Sequence, residues 1–295
     1  MNMMHFVKLL RIKSWVKNGF LLLPAIFSLQ LLQTTQMNAL FIGVVVFSLV
    51  NSFVYIINDI KDATEDALHP RKKLRPIASG LIQKNTAFLV GIGLLVIATT
   101  LCFFFGLSYG FILTITAYLV LNIGYTFGLK RLPLLELFIV AINFVLRVLA
   151  GCAILLVKPS HWILVVTFFL SLLLVVVKRK SEINQLHGSA TQHRAVLGAY
   201  SLSFLSALSY IAATITITAY LLYSIDSDVV NALGTDSIMY SSIFVLFGIT
   251  RLIQISEQNL FEGEGDPTTL LFKDRFLQGT VLCWLMFLII VIYVL

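Results

Sequence analysis

The chain has 295 residues and a formal net charge of +7, with 59% hydrophobic and 12% charged residues. Soluble domains carry about 25% charged residues, so this composition excludes a protein surrounded by water, and the mean hydropathy of +0.95 agrees. The apolar runs are long and do not alternate with polar positions. They predict an all-α, polytopic membrane protein rather than a β-barrel, because lipid requires every backbone amide to be paired within the chain.

Nine apolar windows predict nine transmembrane helices in a single domain over residues 1–295. In chain order their approximate limits are 16–33, 38–58, 86–106, 109–127, 134–157, 160–178, 195–224, 237–256 and 275–295. The basic residues before the first window resemble a signal peptide. No small-residue cleavage pattern follows them, so we expect the first span to be retained.

The distribution of lysine and arginine predicts the orientation of these helices. If the N-terminus is cytoplasmic, the basic residues gather on the cytoplasmic side, except Lys158 in an outside loop and Arg147 within a span. The sequence therefore predicts a multi-pass protein of the plasma (inner) membrane. The positive charge is explained by topology, and we expect no nucleic-acid partner.

An acidic cluster follows the second predicted span, where residues 58–66 read NDIKDATED. On a helix, the spacing of Asp59, Asp62 and Asp66 places the three carboxylates on one face, with Asn58 at its edge. Such carboxylates repel one another, and Mg²⁺, which prefers oxygen ligands, relieves that repulsion and activates a diphosphate leaving group. We predict that these four residues hold Mg²⁺ and that the three aspartates are catalytic. The alternative is a solvated loop with ordinary surface acids.

Basic residues follow at once, in the sequence HPRKKLRPIASG at 69–80. Arginine and lysine beside a metal-binding carboxylate cluster suit the recognition of a polyanion. We expect Arg75 to contact a phosphate. For Lys72 and Lys73, attraction to the cytoplasmic leaflet is an equally good explanation.

Together, the patterns N-D-x-x-D-x-x-x-D and H-P-x-K-x-x-R-P-I-A-S-G resemble the UbiA superfamily of intramembrane prenyltransferases. The resemblance implies nine transmembrane helices and a Mg²⁺-dependent site on the cytoplasmic side. Several weaker segments resemble the branch of the superfamily that transfers phosphoribose. They are 13–18 (KSWVKN), 129–133 (LKRLP), 144–151 (FVLRVLAG), 178–182 (KRKSE), 266–268 (DPT) and 274–275 (DR).

The loop after the sixth predicted span departs from the aromatic-prenylating members, which carry a second aspartate-rich motif there. Residues 178–184 instead read KRKSEIN, with one acid among three bases, and a basic cluster binds phosphate directly. The resemblance thus implies transfer of 5-phosphoribose from phosphoribosyl diphosphate to a polyprenyl (decaprenyl-type) phosphate lipid in the bilayer. The alternative is prenyl transfer from a prenyl diphosphate to an aromatic or glycerol-phosphate acceptor.

Six further residues are candidates for substrate binding. They are Lys17, Tyr125, Lys130, Arg147, Lys178 and Arg179. An arginine within a span is costly and seldom idle, so we expect Arg147 to contact a substrate phosphate, with pairing to Glu136 as the alternative. Tyr125 is equally well explained as an interfacial residue. The charges gather at one membrane surface and no paired, interrupted helices are evident, which argues against a transporter.

Overall fold

The computed structural model describes residues 3–28, 34–68, 72–186, 195–258 and 273–293, and the regular elements in these ranges are helices. This confirms the all-α prediction. The chain forms two compact units, the first comprising Met1–Ile139 and Leu146–Lys158, the second comprising Val140–Val145 and Pro159–Leu295. The prediction of a single domain over 1–295 stays a prediction.

In the first unit, α3 is the central helix, because both α5 and α6 pack against it. Buried aromatic rings of α3 and α6, among them Phe47 and Phe111, form the core of this packing. The elements are α1 (Met3–Leu10), a 3-10 helix (Ile12–Leu22), α2 (Leu23–Phe27), α3 (Thr34–Lys61), α4 (Ala63–Leu68), a 3-10 turn (Lys72–Leu74), α5 (Lys84–Phe104), α6 (Tyr109–Phe127), a second 3-10 turn (Leu129–Arg131) and α7 (Leu135–Leu155), of which Val140–Val145 are assigned to the second unit.

In the second unit, α9 packs along α8, and α12 packs along α11. Side-chain caps set two of the helix starts: Ser201 Oγ accepts from the amide of Phe204 at 3.1 Å, and Asp226 caps α10 while accepting from the indole of Trp162 at 3.0 Å. The elements are α8 (His161–Leu186), a 3-10 helix (Ala195–Ala199), α9 (Leu202–Ile225), α10 (Ser227–Leu233), a 3-10 helix (Ser237–Ser241), α11 (Ser242–Glu257) and α12 (Arg275–Tyr293).

Eight helical segments in the described part of the chain are long and apolar enough to cross a membrane. They correspond to the second through ninth predicted spans. The seventh begins at Leu202 rather than at residue 195, because the cap at Ser201 starts the helix there. The first predicted span, 16–33, is described only as far as residue 28, so the count of nine stays a prediction.

That first segment is a 3-10 helix followed by a short α-helix, with Pro24 at the start of the latter. Its polar side chains bond to α3: Trp15 Nε1 donates to Ser52 Oγ at 2.9 Å, and Asn18 Nδ2 donates to Ser48 Oγ at 2.8 Å. Three residues of 3-10 helix rise about 6 Å, as do four residues of α-helix. The three residues from Trp15 to Asn18 therefore cover the same length as the four residues from Ser48 to Ser52, which allows both hydrogen bonds to form.

Gly151 of α7 allows this 3-10 backbone to approach closely. A Cβ atom at position 151 would lie 2.2 Å from the carbonyl oxygen of Leu21, a distance that no side chain tolerates. The glycine therefore fixes how α7 packs on the segment that carries Trp15 and Asn18.

Candidate active site

The predicted acidic cluster lies where α3 passes into α4. Asn58 and Asp59 belong to the last turn of α3, Asp62 follows Lys61, and Asp66 lies in α4. The helical hydrogen bonds continue across the junction, since the amides of Asp62 and Asp66 donate to the carbonyls four residues earlier at 2.9 and 2.8 Å. Asp59 and Asp66 are buried, whereas Asp62 is half-buried.

Arg75 joins two of the three carboxylates. Its Nη1 atom donates to Asp59 Oδ1 at 3.1 Å and also to Asp66 Oδ2. Lys72 Nζ lies 4.0 Å from the other oxygen of Asp66. Burial raises the pKa of Asp66 above its usual range, and Arg75 is the strongest influence opposing that rise.

Lys130 holds the third carboxylate. Its Nζ atom donates to Asp62 Oδ1 at 2.5 Å and to Asn58 Oδ1 at 3.4 Å. Lys130 is brought there by the 3-10 turn that follows α6. The structure thus gathers six of the residues predicted from the sequence. They are Asn58, Asp59, Asp62, Asp66, Arg75 and Lys130.

Arg11 is a member of this cluster that the sequence did not reveal. Its guanidinium makes two bonds to Asp59, from Nη2 to Oδ1 at 2.5 Å and from Nε to Oδ2 at 3.1 Å. The same guanidinium lies 4.7 Å from the ring centre of Tyr55. The pKa of Arg11 is raised: burial works against the charged form, but Asp59 and Tyr55 outweigh it. In the sequence Arg11 is one of several basic residues before the first span, so its role there is indistinguishable from positive-inside charge.

The donor atoms of the cluster suit Mg²⁺. Asn58, Asp59, Asp62 and Asp66 offer only oxygens, which this ion prefers. Within the described ranges, no three carboxylate, histidine or cysteine side chains already converge as a metal site. Instead the oxygens form two pairs, Asn58 with Asp62 and Asp59 with Asp66, and each pair already converges on a cationic nitrogen.

Arg147 lies apart from this cluster. It is buried, and its Nε donates to Asn18 Oδ1 at 2.9 Å while Nη2 donates to the Tyr118 hydroxyl at 3.3 Å. That hydroxyl in turn donates to Asn51 Oδ1 at 2.7 Å. Asn51 precedes Asp59 by eight residues of α3, which corresponds to about 12 Å along the helix axis. The described partners of Arg147 thus lie about two helical turns from the aspartate cluster, and its contact with a substrate phosphate stays a prediction.

Two other candidates in the first unit, Lys17 and Tyr125, are half-buried in the 3-10 helix and in the last turn of α6. Two motifs fall outside the described residues: the His69–Arg71 portion of the basic motif, and the segment 266–268 (DPT) that contributed to the family resemblance.

The basic residues after the sixth span lie in a helix, not in the predicted loop. In the second unit, α8 continues to Leu186, and the bond from Arg179 Nη1 to Glu182 Oε2 at 2.8 Å supports the extra turns. Lys178 is half-buried on the same stretch. Lys180 is buried and pairs with Glu257 of α11 at 2.6 Å.

Comparison with known proteins identifies the family. The sequence model of the UbiA prenyltransferase family matches residues 21–179, which is more than half of the chain. The chain is also 30% identical to the decaprenyl-phosphate phosphoribosyltransferase of Corynebacterium glutamicum, over 98% of this chain and 86% of the relative. The chain belongs to the UbiA prenyltransferase family. The resemblance noted from the sequence is thereby confirmed.

Another curated relative and a solved structure also match the chain. The decaprenyl-phosphate phosphoribosyltransferase of Mycolicibacterium smegmatis is 30% identical, over 95% of this chain and 89% of the relative. A UbiA homologue from Archaeoglobus fulgidus, solved with GPP and Mg²⁺, superposes with a TM-score of 0.68 at 18% identity, covering 98% of this chain and 100% of that chain. The latter match shows a shared fold. With eight long apolar helices among the described residues and UbiA membership, the protein is an integral membrane protein.

Proposed function

We propose that this UbiA-family protein transfers 5-phosphoribose from phosphoribosyl diphosphate to a polyprenyl phosphate and releases diphosphate. The observation that carries the proposal is the match, over almost the whole chain, to two enzymes named decaprenyl-phosphate phosphoribosyltransferase. The basic stretch at 178–180, where the prenyl-diphosphate enzymes carry aspartates, agrees with it. We place the protein in the plasma membrane, with its N-terminus and aspartate cluster on the cytoplasmic side, because the basic residues gather there.

The aspartate cluster is the proposed binding site for the leaving group. Asn58, Asp59, Asp62 and Asp66 would hold Mg²⁺, which stabilises the negative charge that develops on a departing diphosphate. Arg75 is close enough to these carboxylates to donate to the same diphosphate. Charge-assisted bonds of this kind are strong and orient their acceptor.

The reaction requires no general base from the protein. An oxygen of the lipid phosphate, already anionic, attacks C1 of the ribose. The bond from C1 to the diphosphate oxygen breaks, and its electron pair leaves with the diphosphate. Because attack and departure occur on opposite sides, the configuration at C1 inverts. The protein then contributes alignment of the two substrates and electrostatic stabilisation of the leaving group.

The lipid phosphate and the ribose 5-phosphate need cations of their own. From the first unit we assign Lys17, Tyr125 and Arg147 to such contacts. In the second unit, Lys178 and Arg179 stay predicted phosphate-binding residues. Lys130 contacts Asp62 and Asn58, so we assign it to the diphosphate.

Purified full-length protein in detergent tests the proposal. The reaction contains MgCl₂, a polyprenyl phosphate and phosphoribosyl diphosphate labelled in the ribose, and the label that extracts into organic solvent is counted. We expect extractable label that disappears with EDTA and in Asp62→Ala. The matched control is Asp228→Ala, which removes an exposed aspartate from the first turn of α10 and should retain activity. Absence of extractable label, with the same preparation active on a prenyl diphosphate and an acceptor, would favour ordinary prenyl transfer.

A further inference from the structure

The aspartate cluster is already electrically balanced by the protein itself. Three carboxylates, Asp59, Asp62 and Asp66, make ion pairs with Arg11, Arg75 and Lys130, and a fourth cation, Lys72, lies 4.0 Å from Asp66. Arg11 and Arg75 share Asp59, and Lys130 takes Asp62. The cluster therefore needs no added cation to offset its charge.

A divalent cation alone would upset this balance. Mg²⁺ entering the cluster would lie beside the guanidinium and ammonium groups that now occupy the carboxylate oxygens, and like charges in a partly buried site repel strongly. A diphosphate carries more negative charge than one Mg²⁺ neutralises. If Mg²⁺ and diphosphate bind together, the arginine and lysine side chains displaced from the carboxylates can donate to the oxygens of the diphosphate instead.

Two features of Arg11 suit it to exchange a carboxylate partner for a diphosphate partner. Its guanidinium contacts Asp59 through two nitrogens, and this fork matches a phosphate as well as a carboxylate. The backbone of Arg11 has a φ of 50° and a ψ of 46°, a left-handed conformation that costs free energy in a residue with a side chain and that tends to persist at functional sites. The Tyr55 ring supports the guanidinium from one side.

We propose that Arg11 is a further diphosphate-binding residue: it neutralises Asp59 until Mg²⁺ takes that carboxylate, and it then donates to the diphosphate. Arg75 and Lys130 move in the same way from their aspartates. The proposal rests on the proposed function only in taking a diphosphate as the leaving group. Its consequence is that metal and diphosphate bind as a coupled pair, each weakly without the other.

Binding measurements test this without turnover. Mn²⁺ replaces Mg²⁺, and equilibrium dialysis of the purified full-length protein, with and without radiolabelled inorganic diphosphate, measures the protein-bound Mn²⁺ and the protein-bound diphosphate in the same samples. In the wild type we expect diphosphate to raise the Mn²⁺ affinity at least tenfold. In Arg11→Gln we expect Mn²⁺ alone to bind more tightly, because Asp59 has lost a competing cation. Diphosphate should bind about tenfold more weakly or worse, because a charge-assisted bond is lost.

Arg131→Gln is the matched control. It removes an arginine from the same surface, but one that is exposed and lies 3.8 Å from the equally exposed Glu65, so neither affinity should change. If Arg11→Gln does not yield monodisperse protein, Arg11→Lys decides the matter. That variant keeps the charge and loses the fork, so diphosphate should bind more weakly while Mn²⁺ alone binds as in the wild type.

Arg11→Gln should shift the two affinities in opposite directions, Arg11→Lys should weaken only the diphosphate affinity, and a merely structural arginine produces neither pattern. If Arg11→Gln, or Arg11→Lys in its place, weakens both affinities in proportion or changes neither, the inference is wrong. If the expected affinity changes occur in a protein that makes no lipid-linked phosphoribose, the proposed function is wrong and this inference stands. If the protein transfers phosphoribose but shows no such affinity changes, the proposed function stands and this inference is wrong.

Discussion

Replacing Arg75 with glutamine measures what one cation contributes to the aspartate cluster. Removing one partner of a buried ion pair costs about 3–5 kcal/mol, and removing one from an exposed pair costs about 0–1 kcal/mol. Arg75 is 24% exposed and Asp66 only 4%, while Asp59 keeps Arg11 in the variant. The loss should therefore fall between these limits, at about 2 kcal/mol. For a chain of this size it lowers the unfolding midpoint by about 4 °C.

The loss should depend on pH in a direction set by Asp66. Burial already raises the pKa of Asp66 above its usual range, and removing Arg75 raises that pKa further. The folded variant then binds more protons than the unfolded chain, so its stability falls as pH rises through the interval between the two pKa values. The deficit of Arg75→Gln relative to wild type is thus largest near neutral pH and shrinks on acidification.

A double-variant cycle completes this test. Asp66→Asn removes the carboxylate charge that Arg75→Gln leaves without its arginine partner. The double variant Arg75→Gln/Asp66→Asn should therefore recover most of the lost stability, and its stability should no longer depend on pH in this way. It should not recover phosphoribosyl transfer, because both a cation and a proposed metal ligand are missing. Unfolding midpoints in detergent at several pH values, with the label-extraction assay, give both quantities. A midpoint that Asp66→Asn fails to restore, or a deficit that does not vary with pH, would refute the reasoning.

Two further predictions concern packing and pairing. Gly151→Ala should lower the unfolding midpoint by several degrees, because the new Cβ would lie 2.2 Å from the Leu21 carbonyl oxygen; the control Gly93→Ala, with nothing within 4 Å of its Cβ, should not. Lys180→Met should destabilise the protein by about 1 kcal/mol, because Glu257 loses its ion-pair partner and keeps the hydrogen bond from the Tyr210 hydroxyl. The prediction for Lys180→Met is supported if Lys180→Met/Glu257→Gln recovers the wild-type unfolding midpoint. The prediction for Gly151→Ala is contradicted if that variant unfolds at the wild-type midpoint.

The helical spans were predictable because they depend on a local property. Each needs about 20 apolar residues in sequence, and eight windows meet that condition as helices in the described structure. The 3-10 geometry of the segment before α3 was not predicted, and its polar groups are satisfied by α3 itself. Trp15 and Asn18 find hydroxyl partners on Ser52 and Ser48, and no local pattern reveals those pairings.

The aspartate cluster was predictable for the same reason, since its residues are spaced along one helical stretch. The identity of the cations beside it was only partly predictable. Arg75 follows the aspartates closely in sequence, but Arg11 is 48 residues away from Asp59 and is placed by the turn between α1 and the 3-10 helix. The position of Arg147 within a predicted span indicated a functional or structural role, because a charged side chain inside a membrane helix costs free energy. Its partners Asn18 and Tyr118 depend on tertiary packing.

One competition experiment identifies the transferred group directly. The purified protein is given phosphoribosyl diphosphate and a prenyl diphosphate together, with Mg²⁺, a polyprenyl phosphate and an aromatic acceptor, and the lipid extract is analysed by mass spectrometry. We predict a single enzyme-dependent product with the mass of the polyprenyl phosphate plus one phosphoribosyl group, absent in Asp62→Ala. A prenylated acceptor in place of that product would contradict the account.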